Sequence, residues 1–398
     1  FIIFIIILNL MIKSNLIYNT QLLSYSEFSN ITLKINSPGT LKIYSQYAAI
    51  KPELIYINGV NKTINYEHTF VRGNNVINLI YKTDNIKSTR LLFYECSAIN
   101  EIDLSCFDTS NVIDMGKMFY MCTSLSSINL SNINTSNVEK MGEMFYKCTS
   151  LSSLNLSNFD TSNVKTMENM FYGCSSLSIL DLNNLNTLQV TSMGQMFRDC
   201  SSLISLNLCN IDTSNVVTMY RLFNGCSSLN LIDLSSFNTS KVQNMACMFS
   251  GCSKLESLNL FNFDTSQVNN MEYMFNCCST LPALNLSNFY TSKVKKMNNM
   301  FNNCKNLSSL DLSSFNTSQV LTMNGMFSTC QNLTSLDLSN FDTSQVENMA
   351  FMFYCCSSLS SIILSPNLFF FKFGKVSLTS LFVLVSFSTS LSFSFSSS

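Results

Sequence analysis

The sequence predicts an α/β repeat solenoid: a parallel sheet on one face, short helices on the other, and a small β-rich cap before the first turn. The main ground is a stride. From Cys96 a cysteine recurs every 26 residues, through Cys122 and Cys148 and onward to Cys356 without a miss. Val112 to Val346 and Met115 to Met349 keep the same register. A fixed period of roughly 20–50 residues marks an architecture whose units bury their apolar sides only against neighbouring units. The second ground is that each unit changes hydrophobic period midway, from that of a strand to that of a helix.

The chain begins with an apolar run, Phe1 to Ile12, before Lys13. Twelve residues are too few to span a bilayer and fit the core of a signal peptide, so 1–19 reads as apolar segment and leader. A buried core helix is the alternative. Residues 20–95 read as the β-rich N-terminal cap. Ile31 to Ile35 alternates, Ser37-Pro38-Gly39-Thr40 turns and Leu41 to Tyr44 alternates again, which predicts a hairpin. Leu54 to Ile57 running into Asn58-Gly59 predicts a second hairpin, and Val76 to Tyr81 a further strand. The lone histidine, His68, falls here and is read as structural.

Residues 96–365 hold ten repeats and a partial eleventh, which begins at Cys356 and fails at Pro366. One good copy is CTSLSSLNLSNFDTSNVKTMENMFYG, residues 148–173. Alternating Leu154 and Leu156 suit a short strand with one buried face. Val164, Met167, Met170, Phe171 and Cys174 fall at i, i+3, i+6, i+7 and i+10, one stripe of a helix. Between them, Asp160-Thr161-Ser162 offers acceptors to the free N–H groups of a first helical turn. Ten turns at ~4.8 Å per strand give a sheet on the order of 50 Å long. Residues 366–398 abandon the repeat for a Ser/Phe-rich stretch, read as a low-complexity tail or a possible anchor.

The LxxLxL core followed by DTSxVxxMxxMF resembles the BspA-like leucine-rich-repeat surface proteins, in their 26-residue repeat class. The resemblance covers about two thirds of the chain. It implies a leucine-rich-repeat solenoid displayed on or secreted from cells, with adhesive or binding roles, and it names no ligand. The chain departs from the general leucine-rich pattern by placing Phe107, Phe159, Phe237, Phe263, Phe315 and Phe341 where an Asn ladder usually runs. That departure implies an aromatic spine at those positions.

Composition narrows the chemistry. With 46% hydrophobic and 12% charged residues, the 398-residue chain is too apolar for disorder. A net charge of −1 offers nucleic acid no electrostatic footprint, so none is expected as partner. One histidine excludes most zinc enzymes and multi-histidine catalysis. Eleven glycines, no two closer than 14 positions, leave no phosphate-cradling loop. Equivalent carboxylates in every turn lack the two distinct environments that acid–base catalysis needs. No catalytic residue, metal ligand or cofactor is therefore assigned.

The cysteine column reads as buried, reduced thiols acting as small apolar residues, in preference to disulfides or metal ligands. Cys106, Cys209, Cys247, Cys277 and Cys355 fall off it, and Cys277 and Cys355 are the better candidates for exposure or bridging. The methionine columns read as core rather than as a soft-metal ladder. Asp108, Asp160, Asp212, Asp264 and Asp342 alternate with Asn134, Asn186, Asn238 and Asn316 before the Thr-Ser pair. Turn formation and capping explain that exchange as well as calcium does.

A second such column lies between the core leucines and points outward from the strands. It comprises Asp103, Asn129, Asn155, Asp181, Asn207, Asp233, Asn259, Asn285, Asp311 and Asp337. These make a long, polar, weakly charged face, the candidate ligand-binding surface. The expected function is non-enzymatic binding of protein or glycan ligands through that face, on the cell surface or outside the cell. Membrane association through the N- or C-terminal segment is possible. A cytoplasmic scaffold for protein–protein interaction is the alternative, and a column of free thiols favours it.

Overall fold

The computed structural model describes residues 28–84, 86–364 and 392–395. The expected leader lies outside the described residues, as does the tail apart from its strand at 392–395. Among the described residues no helix is long and apolar enough to cross a membrane.

Six strands precede the repeats: β1 (Phe28–Ile35), β2 (Gly39–Lys42), β3 (Leu54–Ile57), β4 (Val60–Lys62), β5 (Glu67–Phe70) and β6 (Asn75–Lys82). Alternation in β1 buries Ile31, Leu33 and Ile35. The hairpin expected of β1 and β2 does not form. β1 lies between β6 and the first repeat strand, β7 (Glu101–Cys106), antiparallel to both, while β2 pairs with β5. The reason is length: β6 matches β1 over eight positions, Phe28↔Lys82 to Ile35↔Asn75, whereas β2 offers four residues, two of them exposed. The second hairpin forms as expected. Ile57 faces Val60 across Asn58-Gly59, whose φ values of 50° and 77° suit a two-residue turn with both central residues left-handed.

The repeat strands pair in parallel. β7 joins β8 (Ser127–Asn129), so the cap and the first turns share one sheet, ordered β4-β3-β6-β1-β7-β8. Strand β1 thereby covers what would be the open edge of the first turn. Further along, β9 (Ile179–Asp181) pairs with β10 (Ser205–Asn207), and β11 (Ala283–Leu284) with β12 (Ser309–Leu310). At the far end β13 (Ser335–Leu338), β14 (Ser361–Leu364) and β15 (Ser392–Phe395) form a three-stranded parallel sheet. A second contact line is a chain of parallel bridges, one per turn, from Ser88↔Asp114 to Thr322↔Asn348. It starts before Cys96, so a half-turn of solenoid already lies within the segment read as cap.

The short helices do not exist: among the described residues no segment is helical, and the protein is a β-solenoid rather than an α/β one. Each expected helix is a run of tight turns with two left-handed residues, such as Asn169 (φ 56°) and Gly173 (φ 70°). Within the turn, Met170 N–H donates to Met167 C=O at 3.1 Å, and Cys174 N–H to Phe171 C=O at 3.1 Å. The alternate N–H groups cross to the next turn: Asn169 to Gly194 C=O (3.0 Å), Phe171 to Met196 C=O (2.9 Å), Gly173 to Arg198 C=O (2.7 Å). A ten-residue helix would be marginal and would leave its first four N–H groups unpaired. Crossing to a neighbour uses them, at ~1–2 kcal/mol per left-handed non-glycine residue. Inward side chains keep the same spacing either way, so the hydrophobic stripe could not distinguish the two.

Stacked columns fill the interior. Val, both Met positions and Cys are buried in turn after turn. Eleven phenylalanines, Phe93 through Phe353, stack ring on ring with centroids 5.3–5.9 Å apart. That is the aromatic spine, and it runs through the Met-Phe position rather than through Phe107 and its equivalents. The latter are buried, but Ile133, Leu185 and Ile211 interrupt their column.

Two polar columns staple the turns together. Each column thiol from Cys122 to Cys356 donates to the carbonyl of the phenylalanine 29 residues earlier, as Cys226 does to Phe197 at 3.1 Å. Cysteine fits there because it is small, apolar and still a weak donor. Cys277 and Cys355 are half-buried, Cys106 and Cys209 exposed, and Cys247 buried. From Thr109 to Thr317, the buried threonine before each repeat's valine bonds the following turn. Thr213 Oγ1 donates to Asn238 C=O and accepts from Asn238 N–H, both at 2.8 Å.

Candidate functional site

The strand face is built by the leucine alternation, which sends every second side chain outward. All ten residues assigned to it from sequence share one column; nine are exposed, and Asp103 is half-buried beside Thr32 of β1. Each also does the same local job. Oδ1 accepts from the backbone N–H two residues on: Asp103 from Ser105 (2.9 Å), Asn129 from Ser131 (3.1 Å), Asn155 from Ser157 (2.9 Å), Asp181 from Asn183 (3.0 Å) and Asn207 from Cys209 (3.2 Å). Likewise Asp233 bonds Ser235 (2.9 Å), Asn259 Phe261 (3.0 Å), Asn285 Ser287 (3.1 Å), Asp311 Ser313 (2.9 Å) and Asp337 Ser339 (2.8 Å). This Asx turn ends the strand and needs only one acceptor oxygen, which is why Asp and Asn interchange freely. Donation from Ser235 and Ser313 holds the Asp233 and Asp311 carboxyls below the usual carboxylate range.

The column before the Thr-Ser pair behaves alike. Asp160 Oδ1 accepts from Ser162 N–H at 3.0 Å and Asn238 Oδ1 from Ser240 N–H at 3.1 Å. Turn formation accounts for these residues, although no helix follows for them to cap. Among the described residues no three His, Cys, Asp or Glu side chains converge as a metal site would require.

Sequence reasoning passed over two surface features. Ile179, Ile204 and Leu231 stand on the strand face, 64%, 54% and 57% exposed. Their signal was available, since the repeat writes serine at these positions in most other turns. On another side, Tyr94, Tyr120, Tyr146 and Tyr172 stack at 4.9, 4.4 and 4.5 Å, and the Arg198 guanidinium closes the row 4.8 Å from the last ring.

A search of the curated proteins finds no match. One family, however, matches at residues 65–180, 177–285 and 278–368, which together run from the segment before β5 to just beyond β14. The chain therefore belongs to the family described as Mycoplasma protein of unknown function, DUF285.

Proposed function

We propose that this is a non-enzymatic binding protein of the BspA-like surface class, secreted or displayed at the cell surface, that takes a protein or glycan ligand on its strand face. The observation that carries the reading is the column of ten outward Asx residues in register. Each commits one oxygen to its own turn and keeps its second heteroatom for a ligand. Repetition on a rigid sheet suits recognition by many shallow contacts rather than by one pocket. The apolar N-terminal run supports export. Protease treatment of intact cells carrying the tagged full-length gene should remove the protein, and full protection would sink the surface assignment.

The cytoplasmic scaffold is a second reading, favoured by the eleven buried column thiols, which suit a reducing compartment. The same shaving experiment separates the two, because the scaffold would be cut only after lysis.

A further inference from the structure

We infer that the middle turns of the strand face take a protein segment carrying apolar and basic side chains together, an inference that rests on the strand face being the binding surface. At the two outward positions before the inner leucine, the repeat keeps pairs such as Ser152-Ser153 and Ser308-Ser309. Three successive turns break that rule with Ile179, Ile204 and Leu231. Their adjacency is fixed by the backbone: Ile179 pairs with Ser205, and Ile204 N–H donates to Ser178 C=O at 2.9 Å. In the next turn Glu256 N–H donates to Asn230 C=O at 3.0 Å, setting Glu256 in the column of Asn230 and diagonal to Leu231. Four turns thus present Ile, Ile, Leu and Glu staggered across two neighbouring columns, Ile179 and Leu231 in one and Ile204 and Glu256 in the other, with successive turns about 4.8 Å apart.

Folding does not require these three apolar side chains. The core beneath them is supplied by their inward neighbours Leu180 and Leu206, which are buried, and serine serves at the same positions elsewhere. A contiguous exposed apolar patch rimmed by polar groups marks an interaction site. The three departures from serine are aliphatic rather than aromatic, and this favours protein over glycan; the exposed ring of Phe261 stands apart from them, five residues past Glu256. Its rim sets the partner's charge. Asp181 and Asp233 lie two residues along from Ile179 and Leu231 on the same face, and Glu256 follows in the next turn, against one nearby lysine, Lys254. Excess carboxylate at a rim selects basic partners and speeds their arrival.

The test uses the full chain and three labelled peptides: alternating leucine and lysine, the same with glutamate for lysine, and the same with serine for leucine. The leucine–lysine peptide should bind the wild type, at least tenfold tighter than either other peptide. The variant Ile179→Ser/Ile204→Ser/Leu231→Ser restores the repeat's own residue, so it should fold and should lose that binding at least tenfold. Asp181→Asn/Asp233→Asn/Glu256→Gln, which keeps the Asx oxygens, should weaken binding and flatten its salt dependence. Equal binding of the glutamate peptide, or no loss in the serine variant, overturns the inference, as does a dimer that the serine variant abolishes. Mucin binding that resists the serine variant but is lost in Asn155→Lys/Asn285→Lys would overturn this inference and leave the strand-face reading standing. If neither variant changes any binding, both fall.

Discussion

Mild alkali should unfold this protein abruptly, because the cysteine column keeps its protons in the folded state and loses them in the unfolded one. Burial pushes Cys174, Cys252, Cys304 and Cys356 up from 9.0 to about 12, and it raises the other seven column thiols as well. A folded value above the unfolded one means the stabilisation is complete below about pH 9 and is withdrawn as pH climbs toward the folded value. One unit above the unfolded value, each thiol withdraws about 1.4 kcal/mol. Eleven together withdraw on the order of 15 kcal/mol, as much as the whole stability of an ordinary domain. Urea midpoints read by circular dichroism between about pH 7.5 and about pH 9.5 should therefore fall steeply. Replacing three column members (Cys200→Ala, Cys226→Ala and Cys252→Ala) should reduce that slope by about a quarter. A thiol reagent at neutral pH should meanwhile label the exposed Cys106 and Cys209 quickly and the column only on unfolding. A midpoint that stays level to about pH 9.5, or a slope the triple variant leaves untouched, would refute the reasoning.

Other consequences can be checked on the same purified chain. Thr213→Val keeps the shape but strands both the N–H and the C=O of Asn238, and should cost about 2–4 kcal/mol in urea unfolding, with Thr213→Ser recovering most of it. Ile211 stands where most turns carry phenylalanine, and it lines a small apolar void with Leu222 and Met196. Ile211→Phe should fill that void and raise Tm by a few degrees, for a gain of about 1 kcal/mol; a drop would mean the core cannot give. Donation from the Ser162 backbone N–H depresses Asp160, and the Ser214 hydroxyl together with its N–H depresses Asp212, so these carboxylates stabilise the fold above the usual carboxylate range and cease to as pH falls through their lowered values. Asp160→Asn and Asp212→Asn should leave neutral stability unchanged and shift acid unfolding to lower pH, because asparagine supplies the same oxygen.

Much of this fold was legible from the stride alone. Cys96 to Cys356 gave the repeat, and the spacing of Val164, Met167, Met170, Phe171 and Cys174 correctly marked which side chains turn inward. What those spacings could not say is how the chain travels between inward residues. A helix and a series of left-handed turns bury the same positions, and the choice falls to hydrogen bonds with a neighbouring turn, which no single repeat displays. Threonine in the Asp-Thr-Ser triplet was open to the same confusion. Read as part of a cap, it is a staple between turns, and its signal was that Thr109 to Thr343 never vary while the residue before them does. On the strand face, the alternation of Asp and Asn announced an acceptor, and the structure assigns one oxygen of each to its own backbone. The apolar substitutions at Ile179, Ile204 and Leu231 were visible as departures from serine, but only the sheet register showed that they adjoin.

Gly325 tests the β-solenoid most directly. It sits between the two methionines of its repeat, mid-way along what the sequence reads as a helix, with φ at +62°. In a helix, Gly325→Ala would stabilise the protein by about 1 kcal/mol. In the solenoid, alanine must adopt the left-handed conformation and its Cβ must displace the Asn299 Oδ1, so the substitution should cost about 1–2 kcal/mol. A urea midpoint that falls in Gly325→Ala supports the turn-to-turn ladder, and one that rises contradicts it.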